Sequence, residues 1–153
     1  MHDIHILTHY PISDEDVVRL NILRATLNHE HEALTHATIE TTTESGDNII
    51  FVARAKRLIV GMITLERSSM HAPRRTGAIR SFIVDIQYRS LGIGTQLLTR
   101  AVSVADQSGV EALSLRVQTD STHVRMLYRK VGFCMDPRSI TEFRRARYKI
   151  QPG

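Results

Sequence analysis

The sequence predicts an α/β (α+β) fold: a mixed, mostly antiparallel sheet flanked by helices. Three observations carry that prediction. Two apolar, β-rich runs at residues 49–55 and 58–65 are separated only by Lys56-Arg57, which is hairpin spacing. A third run at 79–84 passes through a glycine-containing turn into a helical stretch at 95–107, and a further alternating run follows at 113–117. Near the start, Ser13-Asp14-Glu15-Asp16 places a hydroxyl where a helix N-cap belongs and acids in the first turn.

Taken in order, the elements read β-α-α-β-β-β-α-β-α-β-β, with no linker, repeat or low-complexity tract. Residues 4–8 form a short strand ended by Tyr10-Pro11. The helix capped by Ser13 carries Val17, Leu20, Ile22, Leu23 and Leu27 as a broad apolar stripe. A second helix is expected around residues 30–40, followed by a turn-rich loop at 41–48. The hairpin strands come next, and residues 66–77, which include Pro73, read as a polar loop. Leu97, Leu98, Ala101, Val104 and Ala105 share one face of the 95–107 helix, which Gly109 stops. At the C-terminal end, residues 143–150 alternate as a strand, with Arg144 and Tyr148 on one face and Phe143, Arg145, Arg147 and Lys149 on a solvated basic one.

The segment Arg89-Ser90-Leu91-Gly92-Ile93-Gly94-Thr95 is the most informative in the chain. Glycines at 92 and 94 let backbone come close to a ligand. The helix that follows leaves its first N–H groups without internal partners and has a partial positive charge at its start. Together these make an anion cradle suited to phosphate.

In context, this segment resembles the phosphate loop of the GNAT superfamily of acyl-CoA-dependent N-acyltransferases, Arg/Gln-x-x-Gly-x-Gly/Ala, at every defined position. The family's second signature is similar to Ser121-Thr122-His123-Val124-Arg125-Met126-Leu127-Tyr128-Arg129-Lys130-Val131-Gly132-Phe133. The two motifs cover roughly residues 79–135 in the expected order. The resemblance implies a sheet splayed between the 79–84 and 113–117 strands, which hold acetyl-CoA there as co-substrate, and transfer of an acetyl group to a primary amine by direct attack. It places Arg89, Ser90, Leu91, Gly92, Ile93, Gly94 and Thr95 around the pyrophosphate. The Ile83 and Val84 backbone would pair with the pantetheine amides through an end-of-strand bulge, and Ser121 would contact the cofactor. Tyr128 would be the general acid that protonates the leaving thiolate, and Glu32 and His36 would contact the acceptor.

Two departures bear on the chemistry. Ser121 and Val124 stand where the family usually has Asn and Ala. The carboxylate that many members carry on the strand before the loop is replaced by Arg80 and Ser81. An aliphatic amine of pKa about 10.4 is mostly protonated at neutral pH and needs a base. The candidates are Glu66, at the end of the 58–65 run, and the histidines and glutamates of residues 29–40, with Glu66 preferred. Loss of the usual carboxylate keeps a second expectation open, a non-catalytic acyl-CoA sensor or interaction module on the same fold.

Composition fits one domain spanning residues 1–153, long enough to bury a core without metals or disulfides. The single Cys134, in a short apolar run, is expected as a packed thiol and suits a reducing compartment. With no signal-peptide pattern and no apolar run long enough to span a bilayer, the expected location is cytoplasmic, away from membranes. Residues 1–76 hold 8 basic and 10 acidic side chains, net −2, whereas residues 77–153 hold 12 and 6, net +6. The cofactor half is thus the cationic half, which favours capture of a phosphorylated ligand.

Other readings are weaker. His29-Glu30-His31-Glu32-Ala33-Leu34-Thr35-His36 looks like a zinc-protease box, but His31 and His36 are five residues apart where the motif needs four, so no metal is expected. The basic C-terminal run does not by itself argue for nucleic acid. A dinucleotide-binding domain would want a third small residue where Leu97 stands. A homodimer is in keeping with the resemblance.

Overall fold

The computed structural model describes residues 3–6, 12–26, 33–44, 46–69, 71–116, 122–135 and 142–146. Its elements are β1 (Asp3–Ile6), α1 (Asp14–Arg24), α2 (His36–Glu44), β2 (Asn48–Ala55), β3 (Leu58–Arg67), β4 (Thr76–Val84), α3 (Ile93–Gln107), β5 (Ala112–Arg116), α4 (Thr122–Lys130), β6 (Cys134–Met135) and β7 (Glu142–Ala146), with a 3-10 turn at Ile86–Tyr88. The element order is the one expected. The strands form one mixed sheet in the order β1-β2-β3-β4-β5-β7-β6, in which only β4 and β5 are parallel.

Alternation along the strands sorts apolar side chains onto two faces. Ile50, Val52, Ile59 and Met62 meet Leu20 and Leu23 of α1 and Ile39 of α2. On the other face, Phe51, Ala53, Ile63, Leu65 and Ile79 meet Leu97, Leu98, Ala101 and Ala105 of α3, together with Tyr128 of α4 and Phe133. Gly61 eases the second layer: a Cβ there would stand 3.0 Å from Leu97 Cδ1 and 3.3 Å from the Ile83 carbonyl oxygen, so a side chain would have to push Leu97 of α3 back by a few tenths of an ångström.

Several boundaries differ from expectation. α2 begins at His36 because Thr35 and Thr38 cap each other reciprocally, the Thr38 N–H to Thr35 Oγ1 at 3.1 Å and the Thr35 N–H to Thr38 Oγ1 at 2.8 Å. The helix then runs through 41–44, where a loop was expected, anchored by buried Ile39. The expected loop at 66–77 shrinks to residues 68–75, because Glu66 and Arg67 pair with Ala78 and Gly77 on β4. Polar side chains on an open sheet face do not prevent the backbone from pairing. α3 starts at Ile93, two residues early, and Ile93 is buried. Cys134 is exposed, not packed, because it lies on the two-residue edge strand β6.

Arg145 is also corrected. It is not on a solvated face: its guanidinium grips Asp106 of α3 with two bonds of 2.8 and 2.9 Å and donates to the Val131 carbonyl at 3.3 Å. The expected residues 7–8 and 147–150 of the end strands lie outside the described residues.

α1 is fastened to the sheet by charge as well as by packing. Ser13 and Asp16 form the capping box, and Arg54 of β2 bonds both Asp16 oxygens at 3.1 and 3.0 Å. Burial pushes the Asp16 carboxyl up, but the Arg54 pair and the bonds to Ser13 outweigh it and hold the group below its ordinary value. The unfolded chain therefore takes up the proton first as pH falls: stability from Asp16 is fully present above about pH 4 and is lost as the pH drops through the lowered folded value. The thermal midpoint should hold steady from pH 7 to about pH 5 and fall below about pH 4. An Asp16→Asn variant should melt lower at pH 7 and show a shallower acid decline, both readable by circular dichroism melts across pH.

Candidate active site

The site begins at the end of β4. β4 and β5 pair only from Thr76↔Ala112 to Ile79↔Leu115, so beyond Ile79 the β5-facing edge of β4 has no partner strand among the described residues. In the same stretch β4 carries a bulge. Met62 faces Ile83 and Thr64 faces Arg80, so β4 uses one residue more than β3, and Ser81 takes a left-handed φ of 49°. Ile83 and Val84 thus sit past the bulge at the end of the strand.

The chain then turns sharply. Asp85 caps the 3-10 turn by accepting from the Gln87 N–H at 2.9 Å, Ser90 has a φ of 67°, and Gly92 has a φ of 83° as the N-cap of α3. A Cβ on Gly92 would meet nothing within 4 Å, so glycine is demanded there by backbone conformation alone. No side chain caps α3. Its first amides, at Ile93, Gly94 and Thr95, are therefore left for an anion at the positive end of a fifteen-residue helix. Ser90, Leu91 and Arg89 are exposed around this turn, and Arg89 Nε donates to the Val84 carbonyl at 3.1 Å.

Gly94 lies at the junction of three elements. Its Cβ position is 3.6 Å from Phe82, 3.7 Å from Val84 and 3.9 Å from Leu127 of α4. Next to Leu127, the Tyr128 ring stands 6.3 Å from both Phe82 and Phe133, tilted against each. Tyr128 is 7% exposed, and burial pushes its phenol up to about 12. It is therefore protonated throughout the physiological range and able to donate. The strand end, the α3 start and Tyr128 are thus brought together, whereas Ser121 and Glu32 lie outside the described residues.

Glu66 and His36 stand elsewhere. Glu66 is opposite Ala78, and its carboxylate bonds Arg80 Nε at 2.8 Å, with both side chains about half exposed. From Arg80 to Val84 the strand climbs on the order of 13 Å, so the Glu66 carboxylate stands well short of Val84 and the start of α3. It lines a trough of about 420 Å³ with Ser68, Thr76, Ala78 and Ser114. His36 opens α2 and pairs through Nε2 with Asp14 of α1 at 2.7 Å. Nearby, Asn21 binds both the N–H and the carbonyl of Leu34, at 2.8 and 2.9 Å, holding the chain that returns from α1 to α2. Among the described residues there is no group of three His, Cys, Asp or Glu side chains able to hold a metal, and no helix long and apolar enough to cross a membrane.

Sequence reasoning overlooked three contributors. Ser81 gives no signal as a bulge, since only the register reveals it. Gly61 sits inconspicuously within an apolar strand. Asp85 stands four residues before the phosphate-loop motif, and its partner, Arg19, is 66 positions away.

Comparison with known proteins agrees with this geometry. Residues 16–133 match the model of the acetyltransferase (GNAT) family. N-alpha-acetyltransferase MAK3 of Arabidopsis thaliana is 31% identical over 85 residues, which are 56% of this chain and 44% of that protein, so the match spans less than half of the relative's length. Glucosamine-6-phosphate N-acetyltransferase from Arabidopsis thaliana superposes with a TM-score of 0.71 at 18% identity, covering 92% of this chain and 95% of that one. A chain of the NatC complex bound to Gag peptide and CoA gives a TM-score of 0.71 at 15% identity, covering 94% and 98%. A GNAT-family acetyltransferase from Staphylococcus aureus gives 0.70 at 16%, covering 94% and 99%. A shared fold and a family model matched over most of the chain, including the cradle and Tyr128, make this protein a member of the GNAT acetyltransferase family.

Proposed function

We propose that residues 1–153 form a single N-acetyltransferase domain that transfers an acetyl group from acetyl-CoA to a primary amine, with a peptide N-terminus the first acceptor to test and a small-molecule amine the second. The observation that supports the proposal is that a bulged strand end, a helix start with no side-chain cap and a buried, protonated tyrosine lie together around Phe82 and Gly94. The peptide acceptor is supported by the likeness to an N-alpha-acetyltransferase and to a complex bound to peptide and CoA.

Bound acetyl-CoA would supply the thioester to be attacked. The α3 amides and the Arg89 guanidinium would hold its pyrophosphate, and the Ile83 and Val84 backbone its pantetheine, as an added strand pairs with a sheet edge. A backbone N–H near Val84 would polarise the carbonyl. As the amine nitrogen bonds the carbonyl carbon and the carbon–sulfur bond breaks, Tyr128 gives its proton to the sulfur and regains one from solvent. The proton lost by the amine passes through water to Glu66.

Tyr128→Phe should lower turnover by roughly 10- to 1000-fold while leaving acetyl-CoA affinity nearly intact, as measured by steady-state kinetics and calorimetry. Unchanged turnover would remove Tyr128 from the chemistry, and CoA binding without any transfer by the parent protein would favour a sensor. Gly92→Ala would force a side chain into the left-handed region at a cost of about 1–2 kcal/mol. Calorimetric titration with CoA should show weaker binding by that variant; binding at parental strength would mean the cradle lies elsewhere. Glu66→Gln should slow transfer at pH 7, with the deficit shrinking as the pH approaches the amine's own pKa. Parental rates at pH 7 would leave Glu66 as an ion-pair partner of Arg80 and nothing more.

A further inference from the structure

Between the end of β4 and the cradle lies a segment pinned from the opposite side of the sheet. Arg19 extends from α1, where its Nε donates to the Ile59 carbonyl at 2.8 Å and its terminal nitrogen pairs with the Asp85 carboxylate. Both side chains are largely shielded, at 20% and 16% exposure, so the pair is screened less than a surface one. Asp85 is bonded at three further points. Its N–H donates to the Val60 carbonyl at 2.8 Å, its second carboxylate oxygen accepts from Gln87 N–H at 2.9 Å, and its carbonyl accepts from Tyr88 N–H at 2.9 Å. One residue thus joins β3, the 3-10 turn and α1, directly after Val84 and four positions before Arg89. The charged groups facing its carboxylate are Arg19 from α1 and Arg89 from the turn.

We propose that Arg19 and Asp85 are a positioning pair for the acyl-donor site: α1, on the face of the sheet opposite α3, sets the turn that presents the Val84 backbone and the α3 amides. Neither residue needs to touch the donor. Arg19 fixes the Asp85 carboxylate, and Asp85 fixes the direction in which the chain leaves β4. This role rests on the acetyl-CoA reading above. α1 also holds the segment before α2 through Asn21 and Leu34, so one helix fixes both that segment and the turn.

The test is calorimetric titration of CoA into the parent protein, Arg19→Gln, Asp85→Asn and the double variant, each with a melting curve and the KM and kcat for acetyl-CoA. Asp85→Asn keeps the acceptor for Gln87 N–H and removes only the charge, so its fold should survive. Each single change is expected to weaken CoA binding by about 5- to 30-fold, and the double no further than the worse single, since contacting partners are non-additive. KM for acetyl-CoA should rise far more than kcat falls, and Arg19→Lys should recover part of the affinity. Lower melting points with unchanged CoA affinity, or losses that add in the double variant, would overturn the pair's role while leaving the acetyl-CoA reading intact. A parent protein that takes up no CoA would overturn that reading and, with it, the pair's role.

Discussion

The turn that carries the chain from β4 into α3 is the constraint on which the rest of the structure depends. A bulge against β3 with Ser81 at a φ of 49° precedes it, Asp85 caps its 3-10 turn, and Gly92 enters the helix at a φ of 83°. Backbone in such conformations persists only where its surroundings fix it, and buried backbone groups without partners are costly.

Everything around that turn serves to hold it in shape. α3 must start close to the end of β4, and Gly61 eases its packing against β3 while Gly92 supplies the left-handed turn into it. On the far side, Arg145 and Asp106 tie the last described strand to α3, and on the near side Arg54 and Asp16 tie α1 to β2. These are shielded two-point guanidinium–carboxylate contacts, whose value lies in fixed geometry more than in net stability. Tyr128 shows the opposite use of burial: removed from water and set between two aromatic rings, its phenol keeps its proton and stays a donor.

The sheet face that α1 and α2 pack on is divided in character. Where they cover it the face is apolar, and where they do not it carries Glu66, Thr76 and Ser114 around an open trough. The Glu66–Arg80 pair keeps charge of both signs on β3 and β4, short of the β4 end that leads into the turn.

The sequence by itself determined the element order, the hairpin of β2 and β3, the capped start of α1, and the cradle with Tyr128, because each rests on local spacing: period, cap chemistry, or two motifs at a fixed separation. Only the tertiary structure decided that Ser81 lies in a bulge, that Arg145 turns inward to Asp106, and that Glu66 is engaged by Arg80 at a distance from the start of α3. It alone joined Arg19 to Asp85 across 66 positions. Register, side-chain direction and long-range ion pairs depend on which strands lie side by side and which helix covers them, and a linear pattern carries no term for that.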